Sequence, residues 1–229
     1  MDGTTAVVTG ASRGIGASVA RLFGAEGAHV VGCARTLADV EAVAESIREA
    51  GGSATAVRAD VRDEYDLERL AETAASDGPV DVVVANAAVN HGTPGDAPLP
   101  AESYSAFDDT LRTNVRGVFT TVRELAPHLA PDARVLVPSG SVAREGKPAM
   151  GAYAVSKAGA EALVRGFAAD LDATVATVDP GLVATELSGG TGRDPEDVAP
   201  MFRWAATAAG ADEIDGAVVD LGVWKQATR

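Results

Sequence analysis

Tyr153 and Lys157 stand four residues apart where a helical apolar pattern begins, so their side chains share one helix face. A phenol with its ordinary pKa of ~10 handles protons poorly at neutral pH unless a neighbouring cation stabilises its anion. An ammonium one turn further along the helix is such a cation. Ser139 and Ser141 lie shortly upstream, at the end of a strand-like run. Tyr-x-x-x-Lys alone often arises by chance; the serines before it and a second motif near the start of the chain make chance a poor explanation.

That second motif is Thr9-Gly10-Ala11-Ser12-Arg13-Gly14-Ile15-Gly16, which follows one strand-like run directly and opens a helical one. Glycines here permit a tight turn, close approach of backbone to a pyrophosphate, and tight helix–strand contact, with the helix N-terminus facing the phosphate charge. In a dinucleotide site of this kind an acid roughly 20 residues beyond the glycines holds the ribose 2′-hydroxyl. Here the next strand ends Cys33-Ala34-Arg35-Thr36, with no acid, and Arg13 sits inside the turn. Two guanidinium groups favour a 2′-phosphate, so NADP(H) is expected in preference to NAD(H), which stays possible. The competing reading of Arg35 is a solvated residue at a helix start.

The elements that must position these groups alternate along the chain. Strand-like runs occur near Thr5–Thr9, His29–Cys33, Ala54–Arg58, Asp81–Ala85, Arg134–Val137, Thr174–Val178 and Ala217–Leu221. Helical stretches lie between them, at Gly16–Glu26, Leu37–Ala50, Asp66–Ser76, Ser103–His128, Ala154–Asp170 and Pro195–Thr207. Near-continuous apolar strands alternating with helices predict an α/β fold: a seven-stranded, doubly wound parallel sheet covered on both faces, a single-domain Rossmann fold over residues 1–229. The Gly/Pro-rich stretches Asn90–Pro100 and Ser188–Pro195 read as loops over a site rather than as domain boundaries.

Composition excludes several classes. With 33 acidic and 19 basic residues the formal net charge is −14, which disfavours nucleic acid and anionic membrane surfaces as partners. No apolar run approaches the ~18 residues of a membrane span. Met1-Asp2-Gly3 leads straight into Ala6-Val7-Val8 with no leader-like segment, so a cytoplasmic location is expected. Cys33 is the only cysteine, and His29, His91 and His128 show no ligand spacing, so no metal is expected. Only three lysines occur, Lys147, Lys157 and Lys225. Abundant acid with scarce Lys suits a protein working in concentrated salt, that is, a halophilic one; an arginine-favouring genome would leave the same mark.

Together the motifs resemble those of the short-chain dehydrogenases/reductases, of the single-domain kind that includes the 3-oxoacyl-carrier-protein reductases. The likeness runs from about Thr4 to Leu221. It implies that Gly10, Ser12, Arg13, Gly14, Ile15 and Gly16, with Arg35 and Thr36, bind the cofactor, and that Asp60-Val61 contacts adenine. Asn86-Ala87-Ala88 matches the family's Asn-Ala-Gly after the fourth strand, with Ala in the last place. Pro180-Gly181, Val183 and Thr185 match the segment that contacts the nicotinamide carboxamide. Asn114 matches the residue that holds a proton-relay water. The implied chemistry is hydride transfer between nicotinamide and a carbonyl carbon. Tyr153 moves the proton, a serine hydrogen-bonds the same oxygen, and Lys157 lowers the Tyr pKa and holds the ribose.

Three departures qualify the match. The family's serine usually lies thirteen residues before the tyrosine, which here is Gly140; Ser141, in a Gly-Ser-Val context, is preferred if the following loop is one residue shorter, and Ser139 if it is longer. The link from Asp170 to Thr174 is short. The end, Asp220-Leu221-Gly222 followed by a polar tail to Arg229, puts the family's tetramer contacts in question, although a homo-oligomer, tetramer or dimer, is still expected. The partner is expected to be a small-molecule carbonyl or alcohol; Arg144, Lys147 and Arg193 hint that it is anionic. The reading from another class is a cofactor-binding regulator without turnover, which would not need the Asn–Ser–Tyr–Lys set.

Overall fold

The computed structural model describes every residue of the chain except Pro94, which falls inside the Asn90–Pro100 stretch. Seven strands form one parallel sheet: β1 (Thr5–Thr9), β2 (His29–Ala34), β3 (Ser53–Arg58), β4 (Val80–Val84), β5 (Leu129–Pro138), β6 (Thr174–Asp179) and β7 (Val218–Asp220). Their order across the sheet is β3-β2-β1-β4-β5-β6-β7. The chain therefore winds outward from β1 to β3, crosses back, and continues from β4 on the other side. The reversal leaves a crevice beyond the C-terminal ends of β1 and β4, where such sheets bind ligands.

Alternation along the strands builds two cores. Ala6, Val8, Val30, Val82 and Val84 face one way and pack under α1 (Gly14–Ala25), α2 (Leu37–Glu49) and α7 (Pro195–Thr207), where Phe23, Ile47 and Phe202 are buried. Val7, Val31, Val83, Val135 and Val175 face the other way, under α3 (Glu64–Ala74), α5 (Gly117–Leu125) and α6 (Gly151–Asp170). Strands buried on both faces explain the continuous apolar runs.

The expected helix Ser103–His128 is not one uniform element. It comprises α4 (Tyr104–Leu111), a π-helical turn at Arg112–Arg116, α5, and a 3-10 turn at Ala126–His128. A π turn inserts extra backbone into a helix and re-aims its side chains, and such turns often mark functional places. Several helix starts carry the side-chain caps their sequences suggest: Asp63 accepts from Tyr65 and Asp66, Ser103 from Ala106, and Asp194 from Glu196 ahead of Pro195. After the short helix α8 (Ala211–Ile214), residues Leu221–Ala227 form a helix, α9, because Asp220 accepts hydrogen bonds from the Gly222 and Val223 amides. No helix of the described residues is long and apolar enough to cross a membrane.

Candidate active site

A cavity of about 870 Å³ opens along the C-terminal ends of β1, β2, β4, β5 and β6. At one end lies the glycine turn. Gly10 and Gly14 have positive φ (66° and 56°), a conformation glycine adopts without strain. A Cβ on Gly10 would stand 2.9 Å from the Ala87 Cα, and one on Gly16 would stand 2.3 Å from the Gly10 carbonyl oxygen. Gly10, Ser12, Arg13, Gly14 and Ile15 line the cavity, but Gly16 does not; its role is to let α1 press against the turn.

Asn86 performs a related task. Its side-chain amide donates to the carbonyls of Thr9 (2.9 Å) and Gly10 (3.1 Å), while the Thr9 hydroxyl accepts from the Asn86 and Ala87 amides. The end of β4 is thereby fastened to the turn after β1. Helix α1 begins at this turn with no side-chain cap and no acid in its first turn. Its leading N–H groups thus face the cavity unclaimed by capping, with the positive end of the helix dipole behind them. Such a cradle fits a pyrophosphate.

Arg35, Thr36, Asp60 and Val61 line the neighbouring part of the cavity. Arg62 binds the Asp60 carboxylate through Nε (3.0 Å) and Nη2 (2.6 Å), and this holds the Asp60 carboxyl below its usual range. The same guanidinium reaches Asp109 at 2.6 Å, and His91 Nε2 lies 2.8 Å from the other Asp109 oxygen. His91 is thereby tied into a partly exposed chain of charged side chains. Arg13 lines the cavity as well, and its Nη2 lies 3.2 Å from Glu186 Oε2, both side chains largely exposed. Asp39, in the first turn of α2, lines the same cavity and was not singled out by sequence.

Ser139, Ser141, Tyr153 and Lys157 line the cavity together with Ala87, Ala88, Pro180, Gly181, Val183 and Thr185. The two serines are not equivalent. Ser139 is buried at the end of β5, where its hydroxyl donates to Glu161 Oε1 at 2.7 Å. Ser141 opens a 3-10 turn, Ser141–Ala143, which packs against α6, and its Oγ accepts from Lys147 Nζ at 2.6 Å. Accepting from a lysine leaves the Ser141 proton available to donate, and Glu145 stands near enough as an acceptor for that hydroxyl to help Lys147 hold the Glu145 carboxyl below its usual range.

Lys157 is buried and donates to the Pro138 carbonyl at 2.9 Å, with Nζ 5.6 Å from the centroid of the Tyr153 ring. Burial pulls its pKa down to about 8, against a smaller opposing pull from Glu161. Tyr153 is pushed up to about 12 by burial and, secondarily, by the Asp179 carboxylate. Among the protein's own groups burial is the dominant influence on the phenol; the positive charge of an oxidised nicotinamide ring would add to that of Lys157. Asn114 does not line the cavity. It sits in the π turn, with Oδ1 accepting from the Val89 amide (2.8 Å) and Nδ2 donating to the Val89 carbonyl (2.9 Å) and to Ser156 Oγ (3.0 Å). It ties the loop after β4 to the helix that carries Tyr153.

A network not visible in the sequence surrounds these groups. Arg144 binds both Glu161, one turn beyond Lys157, and Asp179, just before Pro180-Gly181. Asp179 Oδ1 also accepts from the Gly181 amide at 3.0 Å. One guanidinium so joins the serine turn, α6 and the end of β6. Glu102 adds a clamp by accepting from the Ala152 amide at 2.6 Å, at the N-terminus of α6.

Residues 4–196 match the protein family described as short chain dehydrogenase. The chain is 37% identical over 194 residues to versicolorin reductase 1 of Aspergillus parasiticus, covering 82% of this chain and 72% of that protein. Among solved structures, a short chain dehydrogenase from Burkholderia cenocepacia J2315 in complex with NADP superposes with a TM-score of 0.86 at 28% identity, over 96% of each chain. A 7α-hydroxysteroid dehydrogenase complexed with NADH and 7-oxo glycochenodeoxycholic acid gives a TM-score of 0.86 at 27% identity, over 97% of this chain and 94% of that one.

Proposed function

Because this chain belongs to the short chain dehydrogenase family, a family of oxidoreductases, we propose that it interconverts a carbonyl and an alcohol of a small molecule using NADP(H). The observation that carries this reading is the placement of Tyr153, Lys157 and Ser141 on one cavity whose other end is the uncapped start of α1. NADP(H), when bound, supplies the hydride. Ser12, Gly14 and Ile15 would hold its phosphates, and Arg35 and Thr36 its ribose end. Pro180, Gly181, Val183 and Thr185 would orient the nicotinamide.

The remaining steps belong to the protein. Ser141 donates to the substrate oxygen and fixes its position. Tyr153 gives that oxygen its proton in the reducing direction, and in the oxidising direction its phenolate is the form that takes the proton back. Lys157 places positive charge beside the ring and is positioned by Pro138 to meet the ribose. Asn114 holds the backbone around α6 and the loop after β4, from which a proton relay to Lys157 would run. A cytoplasmic homo-oligomer, dimer or tetramer, is part of this reading; the exposed Phe119 of α5 and Val155 of α6 offer it an apolar surface.

Mixing the protein with NADPH and a panel of keto acids, acyl thioesters, sugars and quinones tests the proposal. Loss of the reduced-nicotinamide absorbance with at least one class is expected. Tight cofactor binding with no oxidation across the panel would favour a cofactor-binding regulator instead.

A further inference from the structure

Three cations near the cavity hint from sequence at an anionic substrate, and the structure separates them. The Arg144 guanidinium is committed to Glu161 and Asp179, both buried. Arg193 does not line the cavity; its backbone pairs with Leu182 and Ala184. Lys147 lines the cavity and places Nζ 2.6 Å from the Ser141 hydroxyl. Of the other cations lining it, Arg13 pairs with Glu186 and Arg62 with Asp60 and Asp109, and Arg35 lies with Thr36 beside the glycine turn. Lys157 is buried on Pro138. Lys147 is therefore the cation presented beside the hydroxyl that would meet the reacting oxygen.

Resting on the oxidoreductase reading above, we propose that Lys147 selects a substrate bearing a carboxylate on the carbon next to the reacting carbonyl, a 2-oxo acid or the matching 2-hydroxy acid. An ammonium has three donors. One goes to Ser141, and one faces Glu145, whose oxygen lies 3.1 Å away in an ion pair that is about half exposed on both sides. Such a pair is worth little in water and yields readily to a competing anion. The third donor has no partner among the described residues. With Ser141 at ordinary hydrogen-bond distance from the carbonyl oxygen, Nζ falls within about 5.5 Å of that oxygen. The two oxygen-bearing groups of a planar 2-oxo acid fit inside that reach. Val142, Met150, Leu182 and Leu187 line the same cavity and suit an apolar body on the far side of the carbonyl.

Lys147 then does two things with one charge. It anchors the carboxylate, and it holds Ser141 as an acceptor so that the serine proton points at the carbonyl. In the forward reaction the hydride adds to C2 and the Tyr153 proton goes to the carbonyl oxygen, while the carboxylate is unchanged.

Calorimetric binding in the presence of NADP+, using benzoylformate and methyl benzoylformate as probes, tests this without requiring turnover. The acid is expected to bind wild-type protein at least tenfold more tightly than the ester. Lys147→Met is expected to erase that preference, and Lys147→Arg to keep most of it. Equal affinity for acid and ester in the wild type, no saturable binding of the acid, or an undiminished preference in Lys147→Met would each overturn the proposal. Lys147-dependent binding without reduction of benzoylformate by NADPH would count against the oxidoreductase reading while upholding Lys147 as the anion site.

Discussion

Lys157 Nζ lies 5.6 Å from the centre of the Tyr153 ring, yet its hydrogen bond goes to the Pro138 carbonyl rather than to the phenol. The ammonium is buried among neighbours that do not fully replace its hydration, and its pKa falls from the usual 10.5 to about 8. Burying such a group in its charged form costs stability.

Lys157→Met should therefore give a more stable protein. The shift corresponds to roughly 3 kcal/mol at neutral pH, and each kcal/mol moves the melting temperature of a chain this size by about 2–4 °C. Between about pH 8 and 10.5 the unfolded chain binds a proton at Lys157 that the folded protein has lost, so this destabilisation fades as pH rises through that window. The variant's advantage in thermal melts should be full below pH 8 and shrink towards zero near pH 10.5. A variant less stable than wild type at pH 7 would show that the Pro138 bond outweighs the desolvation.

Cofactor choice is expected to rest on Arg35 together with Arg13. Arg35 and Arg13 both line the cavity, and the largely exposed Arg13–Glu186 pair is worth little in water, so both cations can meet a 2′-phosphate, with Asp39 opposing them from the same cavity. NADPH should bind at least tenfold more tightly than NADH, about 1.4 kcal/mol. Arg35→Asp should reverse that order, and Asp39→Asn should tighten NADPH while leaving NADH unchanged. Fluorescence titrations of both cofactors decide it; equal affinities in the wild type would contradict the assignment.

The two serines are expected to divide structure from chemistry. The Ser141 hydroxyl lines the cavity and accepts from Lys147, whereas the Ser139 hydroxyl is committed as a donor to Glu161. Ser141→Ala should lower kcat/KM by about 10²–10³-fold, the range for losing one donor to a developing oxyanion. Ser139→Ala should cost under about tenfold, with its main effect on melting temperature. The reverse order in steady-state kinetics would mean that the serine turn moves when substrate binds.

Much of this was legible in the sequence because its signals are local. Glycine spacing, the Tyr-x-x-x-Lys turn and the alternation of Val7 with Val8 or Val30 with Val31 each need only a few neighbouring residues, and each predicts an element or a face. What escaped depends on side chains from distant segments. Arg144 meets Glu161 and Asp179 only once β5, α6 and β6 are assembled, and nothing in the local pattern around any of the three announces the others. The same holds for Arg13 with Glu186. The π turn at Asn114 was hidden because its residues are as helix-compatible as their neighbours. The terminal helix was missed because its start rests on one Asp220 cap in an otherwise polar tail.

Salt response tests the meaning of the −14 net charge. The screening length is about 10 Å at ~0.1 M salt and about 3 Å at ~1 M, so molar KCl removes most like-charge repulsion between surface carboxylates. Melting temperature and activity should both rise across that range. A flat or falling series would assign the acidic composition to genome bias. Sodium sulfate at matched ionic strength is the control, since it also strengthens apolar burial; a response to sulfate alone would implicate burial rather than charge.

The central claim is that Tyr153 is the group that moves the proton, and comparing wild type with Tyr153→Phe tests it most directly. Both proteins would be titrated with NADPH, then mixed with the best carbonyl substrate while the reduced-nicotinamide absorbance is followed in single turnover. Removing only the phenolic oxygen should leave NADPH affinity within about twofold, since the neighbouring Lys157 keeps its bond to Pro138, and should lower the turnover rate by about 10²–10⁴-fold, the usual contribution of a positioned acid. A Tyr153→Phe protein that oxidises NADPH at close to the wild-type rate would contradict the account.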